Sequence, residues 1–352
     1  MSEITRASIA RVGVDLAKNV MQVHAVDGAG RRVAVRAIKR EQFLAWCAQL
    51  PAGCLVAMEA CSGAHAWARR LRAQGLDARL PYRMEGKTGK NDVTDAAAAC
   101  EAASRPTMRF VAIKTAEQQG VMALHRVREG LEEERTACIN RIRGVLSEFD
   151  LVFGKSPKVL RAALADVIED ASNELPGCAR LVVQRAFEHW RELDEHMKWC
   201  DRQVGVHVRG SVEAQRAAQV TGIGEITASA MTAGVGDFKQ FKGGHQLSAW
   251  MGLVPGQNSS GGKTVLGRIT KRGDDYLRML PIQGAKSAVM SAAKRDDPIS
   301  IWLQQLVARV GWQKACVAMA NKNARILWAV MTREQGFDAR HVSVKPGLAC
   351  AA

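Results

Sequence analysis

The pattern of apolar and polar positions changes its period along the chain. Residues 9–15 form a near-continuous apolar run, as in a strand buried on both faces. Residues 20–27 alternate, Gly28-Ala29-Gly30 supplies a turn, and residues 31–38 alternate again. That pattern predicts a β-hairpin over 20–38. Arg40 to Leu50 has helical spacing, and Cys54 to Glu59 is a second short buried strand. Gly63 to Gln74 is amphipathic, with Gly75 where a helix C-terminus commonly places glycine. Leu76 to Leu80 reads as a fifth strand. Three strands, a helix, a strand, a helix and a strand is the order of a ribonuclease-H-like core, in which the first and fourth strands are neighbours.

Past residue 90 the period is helical. Thr94–Ala103 is predicted as an Ala-rich helix, and Ala116–Asp150 and Gly177–Val208 as two long ones. Residues 151–177, with Gly154, Pro157 and Pro176 around a short helix, read as an insertion. In the second long helix Leu181, Val182, Ala186, Trp190, Leu193, Met197 and Val204 are spaced like a helix-pair seam, which points to self-association. The last third is predicted mainly helical, broken by Gly-rich loops. The expected organisation is α/β followed by α: a mixed domain over 1–115, long helices over 116–210, a helical domain over 211–340 and a tail over 341–352.

The chain has 352 residues, 47% of them hydrophobic, enough for several domains with cores of their own. No apolar run reaches the roughly 18–20 residues that span a bilayer, so no membrane role is expected. The first residues lack the apolar stretch of a signal peptide. Nine scattered cysteines without a CxxC pair argue against a disulfide framework or a structural zinc. These features point to the cytoplasm. The net charge is +15, of which residues 209–352 carry +10. That skew points to nucleic acid, and so to a nucleoid-associated location.

Four acids suggest chemistry. Asp15 and Glu59 close the two buried runs, which adjacent strands would bring together. Asp92 and Asp95 are three apart at a helix start and so share a face. Buried acids are costly unless paired or metal-bound. The set therefore points to magnesium acting on phosphate. Individually the same acids suit plainer roles: strand-end surface residues for Asp15 and Glu59, N-cap and first-turn acids for Asp92 and Asp95.

Two loops in the last third could meet phosphate. Gly222-Ile223-Gly224 leads into a small-residue helix, as in the hairpin of helix-hairpin-helix modules, whose amides face a phosphate. A plain tight turn is an equal reading. Further on, Ser259 and Ser260 precede Gly261-Gly262 and then Lys263, Arg268, Lys271 and Arg272. From Lys263 to Lys286 there are six cations and two acids. On its own, Ser-Ser-Gly-Gly most often makes a flexible loop. A serine ringed by cations can also approach a phosphodiester, the cations stabilising the added charge of a pentavalent transition state. Its hydroxyl needs activation by a base, a metal or those cations.

In collinear order, Gly13-Val14-Asp15, Met58-Glu59-Ala60, Asn91-Asp92-Val93-Thr94-Asp95-Ala96, Gly222-Ile223-Gly224 and Gly252-Leu253-Val254-Pro255 through Ser260-Gly261 resemble the DEDD-type insertion-sequence transposases. These are the bridge recombinases, insertion-sequence family one hundred and ten. Arg268 to Gly273 and the segment 151–177 are similar to its eleven-eleven subgroup. The resemblance spans roughly residues 8–335. It implies a RuvC-like N-terminal domain, a coiled-coil middle and a transposase domain with a catalytic serine. By motif, Asp15, Glu59, Asp92 and Asp95 would bind metal, and Ser260 would form a phosphoserine link to DNA. The implied partners are donor and target DNA, the element's bridge RNA and further copies of the chain, as a dimer or tetramer. The alternative is a RuvC-like structure-selective nuclease that uses the acids and water alone. In one place the chain departs from the family. Leu80 runs directly into Pro81, where the family usually has a longer connection to the acidic helix.

Overall fold

The computed structural model describes residues 8–82, 91–259, 261–333 and 336–340, and it divides into two compact units. One holds the chain up to Gln119 together with Val235–Lys242; the other holds Gly120–Gly234 and the residues from Gly243 onward.

The first unit is built on a five-stranded sheet: β1 (Arg11–Leu16), β2 (Val20–Val26), β3 (Arg32–Lys39), β4 (Leu55–Met58) and β5 (Asp77–Arg79). Their order across the sheet is β3-β2-β1-β4-β5. The hairpin expected over 20–38 is present as antiparallel β2–β3, and β1 pairs in parallel with β4 as the element order predicted. α1 (Phe43–Cys47) and α2 (Ala64–Ala73) cover one face. There Val12, Val14, Val56 and Met58 are fully buried with Phe43, Trp46, Trp67 and Leu71. Clearing four such side chains from water is worth about 1.5–3 kcal/mol each. α3 (Asp92–Ala102) lies on the other face against β1, β2 and β4, packing Ala99 and Ala103 on Ala57. Beyond β5, Val111 donates its N–H to Leu80 O at 2.7 Å and Tyr82 donates to Arg109 O at 2.8 Å. The abrupt Leu80-Pro81 passage thus continues the strand into a bridge with Phe110.

The second unit is helical. α4 (Ala116–Ser147, continuing from the first unit), α5 (Pro157–Glu169) and α6 (Gly177–Gly210) enclose an apolar cluster of Ile139, Ile142, Leu146, Leu160, Leu164, Val183, Trp190 and Leu193. Asp194 joins Arg135, at 2.5 Å, and Arg161, and both guanidinium groups lie over the Trp190 ring. The seam predicted on α6 therefore has a partner inside its own chain. Trp190 and Leu193 are buried there and Val204 in a separate cluster with Val208 and Ala214, while Leu181 and Val182 remain exposed. The unit continues through α7 (Val212–Ala218), α8 (Glu225–Val235) and α9 (Gly244–Trp250), and ends in α10 (Asp275–Ser291), α11 (Pro298–Val310) and α12 (Trp312–Thr332). α12 packs on α9, α10 and α11.

A polar chain that the sequence did not signal crosses this helical core. His125 Nδ1 is 2.8 Å from the Tyr276 hydroxyl and its Nε2 2.9 Å from Ser229 Oγ; Ser229 Oγ is also 2.9 Å from His207 Nδ1. His125 and Ser229 are fully buried. Burial, followed by the Arg128 charge, pushes the His125 imidazole down to about 4, so it is neutral at pH 7. His65 in the first unit is likewise lowered to about 4 by burial and by Lys114. Both histidines have folded values below their unfolded ones. The stability they confer is complete above an ordinary imidazole pKa of about 6.5 and is lost as pH falls toward about 4. Replacing His125 with alanine takes the ring partner from the buried Tyr276 hydroxyl, leaves Ser229 bonded to His207 alone and opens a cavity. The expected cost is about 3 kcal/mol, read by denaturant unfolding at neutral pH, with a shallower acid limb in the variant's stability profile.

Candidate active site

A glycine lets the helix that carries two of the acids lie on the strand that carries a third. A Cβ added at Gly13 would stand 2.0 Å from Ala96 O and 2.5 Å from Cys100 N. The bare backbone of β1 thus lets α3 lie directly on the sheet. Side chains alternate along a strand, so Asp15 shares the face of Gly13. Gly13 pairs with Ala57 and Val14 with Met58; Asp15 comes next on β1 and Glu59 directly follows the end of β4. α3 begins at the same sheet edge with Asp92 and Asp95 in its first turn. Its N-cap is Asn91, whose side-chain oxygen accepts the Val93 N–H at 3.1 Å. Capping therefore does not require Asp92, which the plainer reading had assigned to it.

The electrostatics put the four acids in one shared field. The Asp15 carboxyl is raised above its ordinary value, first by burial and then by the charges of Asp92, Asp95 and Glu59. No described lysine or arginine forms an ion pair with any of the four. Among the described residues, no three His, Cys, Asp or Glu side chains form a ready-made metal cage. The acids form an open cluster and not a closed ligand set, with Asp15 and Asp95 half-buried and Glu59 and Asp92 exposed. Uncompensated carboxylate oxygens are the donor set that suits a hard divalent cation.

The second constellation sits on a small hairpin, β6 (Pro255–Gln257) and β7 (Leu266–Ile269). Ser260 lies outside the described residues. Ser259 closes the base of the turn: its Oγ accepts from Gln257 Nε2 at 2.8 Å and from the Val265 N–H at 3.3 Å. Lys263, Arg268, Lys271 and Arg272 are all exposed. Two glycines let the hairpin's stem cross the end of α9. A Cβ on Gly273 would stand 2.3 Å from Trp250 O, and one on Gly252 would stand 2.7 Å from Arg272 N. Between them Lys271 is held at φ 53°, a left-handed conformation that costs a lysine about 1 kcal/mol or more.

The turn at Gly222 joins α7 to α8 and packs inward. Gly222 has φ 82°, and a Cβ on Gly284 would stand 1.9 Å from Gly222 O. Buried Asn323 donates its Nδ2 to Thr221 O at 2.9 Å. Gly224 is exposed with open space around it, directly before the acidic first turn of α8 at Glu225. Gly222 thus has a packing reason of its own, and Gly224 is the one open to solvent.

Relatives of known name give the setting. Residues 12–150 match a DEDD transposase family, and residues 214–298 match the family described as "Transposase IS116/IS110/IS902 family". A "Probable family 20 transposase" of Pseudomonas aeruginosa is 46% identical over 335 residues, covering 93% of this chain and 98% of that one. The transposase for insertion sequence element IS1111A of Coxiella burnetii is 39% identical, over 93% and 90% of the two chains. The transposase for IS1328 of Yersinia enterocolitica is 36% identical, over 94% and 99%. The chain belongs to the IS110-family DEDD transposases, enzymes that cut and transfer DNA strands. Divalent metal is part of the general chemistry of their DEDD domain. No described helix is long and apolar enough to cross a membrane.

Proposed function

We propose that the protein excises and inserts its insertion sequence through a phosphoserine intermediate, with a bridge RNA pairing to donor and target DNA. The reading adds a RuvC-like N-terminal domain, a helix-hairpin-helix turn at Gly222 and Gly224, and assembly as a dimer or tetramer. The observation that supports it is that β1, β4 and α3 bring the chain positions of Asp15, Glu59, Asp92 and Asp95 to one sheet edge, in keeping with the raised Asp15 carboxyl. These four would hold magnesium, which when bound neutralises phosphate charge and orients the phosphorus. Ser260 Oγ would form the bond to phosphorus while the bond to the departing DNA oxygen breaks; the serine proton leaves and the departing oxygen gains one. Lys263, Arg268, Lys271 and Arg272 would stabilise the extra negative charge of the transition state. The covalent link keeps the phosphoester energy available for rejoining.

The test is to trap a protein–DNA adduct from the full chain with its element's flanking RNA and map the attached residue. The adduct is expected on Ser260, and Ser260→Ala should abolish both the adduct and recombination. Recombination at the normal rate by Ser260→Ala would refute the serine mechanism. Adduct-free cleavage by that variant would favour the nuclease alternative, in which the carboxylates direct water.

A further inference from the structure

An open pocket of about 680 Å³ lies on the first unit, lined by Lys18, Lys39, Arg40 and Arg70 with Glu41 and Trp67 among its other walls. Four cations face one acid. The guanidinium carbons of Arg40 and Arg70 each lie 5.2 Å from the Trp67 ring centre. Trp67 is only 4% exposed, so the ring is a fixed platform for the cations and has no free face for a base to stack on. Arg40 is held further, donating Nη1 to Ala17 O at 2.8 Å and its N–H to Asn19 O at 2.9 Å. Arginines pre-set this way lose little freedom when they grip a phosphate in two-point fashion.

The pocket's place in the fold narrows its ligand. Lys18 follows β1 three residues after Asp15, Lys39 ends β3, and Trp67 and Arg70 lie on α2, the helix after Glu59. β1, β3 and β4 all run toward one sheet edge, since β2 is antiparallel to both β1 and β3. Lys18 and Lys39 therefore issue from the same sheet edge as Asp15 and Glu59, the edge where open α/β sheets bind ligands, while Arg70 comes from the last turn of α2. An anionic chain reaching the carboxylates would need positive charge beside them.

We infer that this pocket is a backbone-phosphate subsite, gripping a nucleic-acid strand next to the carboxylate cluster without reading its sequence. The inference rests on the sheet edge handling a nucleic-acid strand, and it is independent of Ser260 and of any guide RNA. The shared chemistry is a phosphodiester; the strand is DNA or RNA according to which probe responds.

The test uses the full chain and fluorescent single-stranded DNA, duplex DNA and duplex RNA of one sequence, titrated from roughly 50 to 200 mM salt. Lys18→Gln/Arg70→Gln should weaken binding about tenfold on the probe the site grips, and reduce the slope of log affinity against log salt by about one per side chain. Lys18→Gln/Lys39→Gln, which leaves the Trp67 stack intact, should do the same if loss of Arg70 harms folding. Arg31→Gln, at the hairpin turn on the opposite sheet edge, removes one cation paired to Asp27 and should leave the slope near wild type. Unchanged affinity and slope on all three probes, with melting temperatures preserved, would overturn the assignment. So would an equal loss in Arg31→Gln, which would mean the field of the whole protein is responsible. If Asp15→Asn loses strand transfer while the pocket variants bind as wild type, the subsite is wrong and the transposase reading stands.

Discussion

Gly13→Ala is expected to disable the enzyme without removing a single functional group. The added methyl carbon would meet the Ala96 carbonyl at 2.0 Å and the Cys100 nitrogen at 2.5 Å, both parts of helix backbone. Neither can swing aside as a side-chain tip can, so α3 must lift from the sheet or β1 must bend. Overpacking of this kind costs about 3 kcal/mol. The functional loss is larger, because Asp92 and Asp95 ride on the displaced helix while Asp15 and Glu59 stay with the strands. A misplacement of about 1 Å in a reacting constellation can cost about a hundredfold in rate. Strand transfer should fall at least that far while circular dichroism shows most of the helix retained. Near-normal activity in Gly13→Ala would mean that close docking of α3 is not what assembles the site.

Asp15→Asn should produce the opposite pairing of effects: activity lost, stability gained. The Asp15 carboxyl is raised by burial and by three neighbouring acids. A carboxyl raised by folding stabilises the fold while it is protonated. That contribution is lost as pH climbs past the unfolded aspartate value and through the folded one, since the folded state then binds more protons than the unfolded. At neutral pH and without divalent cations, the amide removes this penalty, and the variant should melt above the wild type. Added magnesium should then raise the wild-type melting temperature more than the variant's, because binding to the native state stabilises it by mass action. Strand transfer should drop by at least about a hundredfold, the upper range for loss of a mere supporting partner to a metal ligand. A wild type that outmelts Asp15→Asn in chelator would show that the four acids do not repel one another as the geometry implies.

Most of the sheet was legible because strand and helix periods differ so sharply here. The apolar run at 9–15 and the alternation over 20–38 both read as strands, and the turn at Gly28 to Gly30 fixes the hairpin. The joining of Asp15 and Glu59 followed from strand order alone. The reach of α3 was also legible, although its cap was not: Asn91 and Asp92 are both good capping residues, and only hydrogen-bond geometry separates them. On α6 the seam was readable but its partner was not. Spacing reports that an apolar stripe must be covered, and here α4 and α5 of the same chain cover its middle, Trp190 and Leu193, and leave Leu181 and Val182 exposed. The buried chain from Tyr276 through His125 and Ser229 to His207 gave no signal, since its members are up to 151 positions apart.

The sequence by itself determined the local periods, the turn glycines, the basic skew and the four acids, because each of these is written within a few adjacent residues. Tertiary structure alone decided which backbone lies on which. Gly13 reads as an ordinary strand residue until α3 is found against it, and Gly284 as a helix defect until Gly222 is found beside it. Gly252 and Gly273 look like loop punctuation until the hairpin stem is seen crossing α9. In each case the deciding quantity is the space left for one methyl group, and it is set by a segment elsewhere in the chain.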